Sequence, residues 1–217
     1  MRSILVVNSK GGCGKSTLAV NLAGYFAVKG KNVTIADFDP QSSSLDWLQV
    51  RPADRAPIQG IAAWQGNAKP PKETEYLIMD APAGIHGKDL ADLVRRADAI
   101  LVPMLPSPFD IRAAQRFISI IEDLKKVHDN EVKLATVANR VRENTLVAVA
   151  LEEYLHSLRL PNGKRFPFLS VLRGSQNYIR SAEKGLSIFE FSPYATEPDR
   201  EQWAPLLRWV QNTRGHS

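Results

Sequence analysis

Residues 10–17 read Lys10-Gly11-Gly12-Cys13-Gly14-Lys15-Ser16-Thr17, directly after the apolar run Ser3-Ile4-Leu5-Val6-Val7-Asn8. This is a phosphate-binding loop of the G-x-x-x-x-G-K-[ST] kind, relaxed only at its first position, which Ser9 fills. Gly11, Gly12 and Gly14 free the backbone to curl until successive N–H groups face a phosphate. Lys15 is placed to reach the β- and γ-phosphates, and Ser16 to offer its hydroxyl to Mg²⁺. The helix opening near Ser16 adds the positive end of its dipole. A chance Gly-rich turn would need neither the strand before it nor the helix-forming run after it. The chain is therefore expected to bind a nucleoside triphosphate. Lys10 is the oddity, because an ordinary loop of this kind does not require a second lysine.

Working outward, short apolar runs alternate with helix-forming stretches. Strands are expected at Ser3–Asn8, Asn32–Asp37, Tyr76–Asp80, Ala99–Pro103 and Lys133–Ala138, with weaker ones near Ile58–Trp64 and Phe168–Leu172. A helix is expected over 16–29, ended by Gly30 as its C-terminal cap. Asp110 reads as the N-cap of a helix with Ile111, Ala114, Ile118, Ile121 and Leu124 on one face. Further helices are expected over 145–157 and 199–212, while 50–73, with four prolines, reads as loop-rich. The order predicts one doubly wound α/β domain over 1–217, a P-loop NTPase fold with a mostly parallel sheet flanked by helices.

The bulk numbers narrow the class. At 217 residues with 44% hydrophobic and 24% charged residues, the chain is an ordinary globular sequence with enough material for a sizeable core. The strand at the N-terminus leaves no expected signal peptide, and no apolar run approaches a membrane span, so the cytoplasm is expected. A single cysteine, Cys13, excludes an internal disulfide and an all-cysteine metal site within one chain. His86, His128, His156 and His216 show no metal spacing. The net charge of +5 is mild, but residues 159–184 carry Arg159, Lys164, Arg165, Arg173, Arg180 and Lys184 against Glu183 alone, leaving the rest close to neutral.

Two more pieces belong to the phosphate site. Asp37-Phe38-Asp39-Pro40-Gln41 ends the second strand at the carboxyl edge of the sheet, where an open α/β fold keeps its ligands. One acid would serve the Mg²⁺ shell and the other would orient a water for attack on the γ-phosphate; the alternative is a turn with solvated acids. Tyr76-Leu77-Ile78-Met79-Asp80 has the form of a Walker B strand, with Asp80 holding Mg²⁺ directly or through water. Gly84 and Gly87 would let the following loop respond to the γ-phosphate, as switch loops do.

Together these motifs resemble the deviant Walker A ATPases of the ParA/MinD group. Asp39-Pro40-Gln41-Ser42-Ser43-Ser44-Leu45-Asp46-Trp47 and Pro103-x-x-Pro106-Ser107-Pro108-Phe109-Asp110 look most like small ParA proteins without an N-terminal helix-turn-helix domain. The resemblance spans nearly the whole chain. It implies that Lys10 is the signature lysine, which crosses a homodimer interface to the partner's phosphates, so that ATP glues a sandwich dimer. It makes Asp39 the hydrolytic aspartate, leaves Asp37 either structural or one step removed from the metal, and places Cys13 at the variable loop position, either inert or oxidisable without nucleotide. Asn139 would touch the adenine edge, or else cap a turn at the strand end.

The resemblance also implies slow, partner-stimulated ATP hydrolysis, DNA binding without sequence preference in the ATP dimer, and positioning of a cargo: a plasmid, a chemoreceptor cluster, or a microcompartment such as a carboxysome. Arg173 is the first candidate DNA contact, followed by Arg180 and Lys184, with Lys164 and Arg165 behind them. The plain alternative is a solvated basic face. Trp203, Leu206, Leu207 and Val210 share one face of the last helix, with Arg200, Arg208 and Arg214 elsewhere. A MinD-like membrane anchor is one reading; packing on the sheet as the last element is preferred, since Trp209 and Pro205 spoil the segregation. A metabolic ATP-dependent enzyme of the same superfamily is the remaining alternative, the iron-protein type being excluded by the lone cysteine.

Overall fold

Strands apolar along their whole length need cover on both faces, and side-chain alternation decides which cover each residue meets. In the computed structural model, which describes residues 1–66, 69–124, 127, 131–142 and 146–212, the runs form β1 (Arg2–Val6), β2 (Val33–Asp37), β3 (Gln59–Ala62), β4 (Tyr76–Asp80), β5 (Ala99–Met104), β6 (Lys133–Val141) and β7 (Phe168–Arg173). They make one sheet in the order β3-β2-β4-β1-β5-β6-β7. Every pairing in it is parallel. The described helices are α1 (Lys15–Val28), α2 (Ser43–Gln49), α3 (Gly87–Arg96), α4 (Pro108–Glu122), α5 (Leu146–Ser157), α6 (Gln176–Ala182) and α7 (Glu197–Gln211).

Alternation splits the core into two layers. Leu5, Met79, Ile100 and Val102 pack with residues of α3, α4 and α5. Ile4, Val6, Ile78 and Leu101 pack with residues of α1, α2 and α7. Helix α1 is buried on most of its circumference, and Leu18, Leu22 and Phe26 are almost wholly shielded from water. Burial of each such side chain contributes about 1.5–3 kcal/mol. Because β1 leads into α1 on one face and β5 into α4 on the other, a crevice opens beyond the carboxyl ends of β1 and β5. That is where a doubly wound sheet receives a ligand.

All seven expected strands form, and the sheet is parallel throughout. Gly30, at φ 72, follows the C-cap Lys29 and donates its N–H to Ala27, as expected of a terminating glycine. The helix expected at 199–212 is α7, and its Trp203, Leu206, Leu207 and Val210 are buried on the sheet, so that face is core. Position 145, Arg214, His128 and His216 lie outside the described residues.

One expectation is corrected. Asp110 is not the N-cap of α4: Ser107 is, accepting from the Asp110 N–H at 3.1 Å, while Pro108 occupies the first turn. Proline suits that turn because its missing N–H would have had no partner there. Helices α2, α3 and α6 were not anticipated. The loop-rich stretch 50–73 also contains the edge strand β3 and a short 3₁₀ turn, Ala63–Gln65.

Candidate functional site

The phosphate loop leaves β1 at the crevice and is pinned on three sides. Asn8, buried, accepts from the Lys10 N–H at 3.0 Å and donates to the Pro103 carbonyl of β5 at 2.7 Å. Gly84, after β4, donates its N–H to the Ser9 carbonyl at 2.9 Å. Asn139, on β6, donates to the Cys13 carbonyl at 2.9 Å, while its amide oxygen accepts from the Arg140 N–H. Gly14 has φ 94, and a Cβ added there would collide with the Asn139 amide nitrogen, so the tight approach of loop to strand requires glycine. The N-terminus of α1 has neither a side-chain cap nor an acid in its first turn. Its N–H groups and dipole are left facing the crevice, the arrangement that receives an anion.

The two lysines are disposed differently. Lys15 is 7% exposed, and its ammonium donates to the Lys10 carbonyl at 3.0 Å, so the side chain folds back across the loop. The Lys10 side chain is 46% exposed and stands 3.9 Å from Asp110 of α4, a loose pair at the rim. Cys13 is buried; burial pushes its thiol up, with Lys15 pulling the other way. A shielded thiol held protonated is a poor nucleophile, which favours the inert alternative for it.

The three acids are held differently. Asp37 is fully buried and accepts from the Asp39 N–H at 2.9 Å and from the Ser44 N–H and hydroxyl at 3.1 and 2.6 Å, fastening α2 to the end of β2. It is structural. Asp39 is half-buried, and one of its oxygens accepts from the Gln41 N–H at 2.9 Å. Asp80, paired in register with both Val6 and Asp37, is 1% exposed, and among the described residues neither carboxylate oxygen has a hydrogen-bond partner. Burial pushes its carboxyl up to about 7, and Asp37 adds to the rise. The Ser16 and Ser44 hydroxyls pull it down, as does Lys15, although neither hydroxyl closes a bond of ordinary geometry. An orphaned buried carboxylate beside the Ser16 hydroxyl fits a cation. Among the described residues no cluster of three or more His, Cys, Asp or Glu side chains could hold a metal by itself. The donor set present, one carboxylate and one hydroxyl, suits Mg²⁺ completed by phosphate and water.

Beside the loop lies a cleft of about 550 Å³, walled by Thr17, Asn139, Arg140, the Gly174–Gln176 turn and Tyr178. Its size suits a nucleoside. Asn139 lines it, but both of its polar groups are engaged within the chain. The cleft's far wall hangs on Asp199 of α7, which is fully buried. Asp199 accepts from Arg173 Nε at 2.6 Å, Asn177 Nδ2 at 2.7 Å and the Ser175 hydroxyl at 3.3 Å. Arg173 therefore lies in this wall, ion-paired and 22% exposed. Arg180 on α6 and Lys184 just after it are exposed, as are Lys164 and Arg165 on a separate hairpin.

The loop and Asp80 are thus brought together, Asn139 fastens the loop from β6, and Asp39 stands just beyond the end of β2 at the same edge of the sheet. Asn8, Ser44 and Asp199 escaped the sequence reading. Asn8 had a signal, a polar residue closing an apolar strand, whereas Asp199 looks like any acid in a helix's first turn.

The profile of the CobQ/CobB/MinD/ParA nucleotide binding domain matches residues 4–188. The chain is 26% identical over 200 residues to maintenance of carboxysome distribution protein A of Halothiobacillus neapolitanus, covering 87% of each chain. An ATP complex of McdA from Cyanothece superposes with a TM-score of 0.71 at 17% identity, covering 100% of this chain and 98% of the other. The MinD cell division protein of Aquifex aeolicus gives 0.71 at 18% identity, covering 99% and 98%. Both likenesses bear on the fold.

Proposed function

The chain belongs to the CobQ/CobB/MinD/ParA nucleotide-binding family, and from that premise we propose a ParA-type positioning ATPase, one domain over 1–217, whose two loop lysines serve two nucleotides. The contrast between the lysines carries the reading. Lys15 is folded into its own loop, while Lys10 stands at the rim with only a loose partner. A rim lysine is free to reach a γ-phosphate on a facing copy, where a charge-assisted bond would form only in the dimer. ATP then stabilises the homodimer, and hydrolysis dissolves it.

Within one site, Lys15 and the uncapped N–H groups of α1 hold the phosphates. Ser16 and Asp80 are the residues that would hold Mg²⁺, which when bound neutralises charge on the phosphate oxygens. Asp39 orients the attacking water. A cargo-linked activator protein accelerates hydrolysis, and the dimer binds nucleoid DNA in the cytoplasm through Arg180 and Lys184, with Arg173 nearby. The carboxysome relative supports a microcompartment cargo; a plasmid or chemoreceptor cluster fits the same cycle. A membrane-surface role is disfavoured because the apolar face of α7 is spent on the sheet.

Light scattering coupled to size exclusion, with a non-hydrolysable ATP analogue, tests the proposal. Lys15→Ala should lose nucleotide binding. Lys10→Ala should bind nucleotide and remain monomeric; if it dimerises like the wild type, the sandwich is wrong.

A further inference from the structure

Helix α4 has a stripe that the core does not use. Ile111, Ala114, Phe117, Ile118 and Ile121 face inward and are buried. One step round the helix, Arg112, Arg116 and Ile120 follow one another at four-residue spacing and line a groove of about 560 Å³. The opposite wall is Arg159-Leu160-Pro161, the start of a hairpin. The hairpin is fixed: the Leu160 N–H donates to the Lys164 carbonyl at 2.9 Å and the Phe166 N–H to the Leu158 carbonyl at 3.1 Å. Asn162 ties it to Glu122 of α4 at 2.9 Å.

The groove combines an apolar strip with unbalanced charge. Ile120 is 54% exposed. Arg112, Arg116 and Arg159 are exposed, and among the described residues none is paired with a carboxylate. Arg159 donates to the carbonyls of His156, Ser157 and Leu158 at the end of α5, which orders it without cancelling its charge. Guanidinium groups on both walls call for carboxylates, and the aliphatic strip between them calls for an apolar anchor. A nucleic-acid backbone would satisfy the first demand and leave the second facing phosphate.

We infer that this groove docks an acidic segment of a partner protein, one carrying aliphatic or aromatic anchors among its carboxylates. The occupant would lie along the helix whose first turn holds Asp110 against Lys10, so it would sit on an element that touches the phosphate loop. The inference rests on the proposed cycle only in identifying the occupant as the cargo-linked activator; binding to the groove is measured without nucleotide.

The probe is a phage-displayed library of random dodecapeptides selected on the full chain, with recovered peptides labelled with fluorescein and titrated by anisotropy. The expected peptides carry net negative charge and at least one large apolar residue. Their affinity should fall about tenfold or more in Arg112→Glu/Arg116→Glu and in Ile120→Asp, as for loss of central anchors in a charged interface. Arg116→Gln, which removes charge without reversing it, should give a smaller loss and controls for misfolding. Failure to enrich, enrichment of uncharged or basic peptides, or equal binding by the variants would overturn the inference. So would a short DNA duplex that outcompetes the peptides and loses affinity in the same variants. Dimerisation of the wild type with the ATP analogue, measured alongside, stands or falls on the loop, so the two readings fail separately.

Discussion

Gly14 shows how little freedom one residue of the loop has. Its φ of 94 is left-handed, and the space a Cβ would need is taken by the Asn139 amide that holds the Cys13 carbonyl. Gly14→Ala therefore combines a backbone strain of about 1–2 kcal/mol with a steric collision at the anchor of the loop. Calorimetric titration should find no ATP binding by a chain that still folds; binding close to the wild type would show that the loop tolerates being opened. Asp199 is the corresponding residue at the cleft beside the loop, because Arg173 and Ser175 of the cleft wall, and Asn177 next to them, converge on it. Asp199→Asn removes the carboxylate charge that faces the Arg173 guanidinium. Breaking such a pair costs about 3–5 kcal/mol when both partners are buried, and the partial exposure of Arg173 puts the expected loss at the low end. The melting temperature should drop, and a nucleotide labelled on its ribose should bind more weakly, although no phosphate contact has been touched. An unchanged melting temperature together with unchanged affinity would remove Asp199 from the architecture of the cleft.

Between elements, the most committed contact is the ion pair of Arg51, just past α2, with Glu190, beyond α6. Arg51 Nη2 lies 2.6 Å from the carboxylate, and both side chains are buried. Burial pushes the Glu190 carboxyl up, but Arg51 and the donors of Ser187 outweigh it and hold the group below its ordinary range. A carboxyl lowered by folding stabilises the native state fully above its unfolded value, and the stabilisation is lost as pH falls through the lowered native value. Glu190→Gln should thus cost about 3–5 kcal/mol near neutrality. Urea titrations of both proteins should converge as the buffer is taken into the acidic range; a gap independent of pH would mean the glutamate acts by shape alone. This contact also marks the limit of what the sequence discloses. The strands were legible because each is a local apolar run, and α1 and α7 because their termini or apolar positions are local too. Helix α2 was missed because its fastening is Asp37 reaching Ser44 across the strand end. Helix α3 places Leu90, Leu93 and Val94 on one buried face, but it opens on Gly87, which was read as part of a moving loop. At α4 an acid preceding an apolar stripe looked like a cap, and Ser107 with Pro108 proved the better chemistry. In the site, the motif residues announced themselves and Asn139 was singled out, whereas the rest of the cleft beside the loop was not, since its walls come from Thr17, Asn139 and the turn after β7.

At the scale of the whole molecule, the proposed cycle makes the charge distribution a function of nucleotide state. The net charge of +5 is carried by the stretch 159–184, and its members separate in space: Arg173 is neutralised by Asp199, Arg159 lines the groove on α4, and Arg180 and Lys184 stand exposed on and after α6. In that cycle a monomer would offer DNA few phosphate contacts, and two copies held by ATP would offer twice as many. The logarithm of the DNA affinity falls against the logarithm of salt concentration with a slope of about −0.9 per phosphate contacted. The slope should accordingly be about twice as steep with a non-hydrolysable ATP analogue as with ADP. In Arg180→Ala/Lys184→Ala the analogue-bound slope should become shallower by about 0.9 for each contact removed, two per chain and so about four in the dimer. Lys10→Ala, which keeps both basic residues, should show the shallow slope in either nucleotide. That last comparison carries the argument, because it separates a switch that works by assembling two patches from one that works by reshaping a single patch. If Lys10→Ala still steepened with the analogue, nucleotide would be acting on the DNA surface within one chain, and the dimer would not be the element that reads ATP.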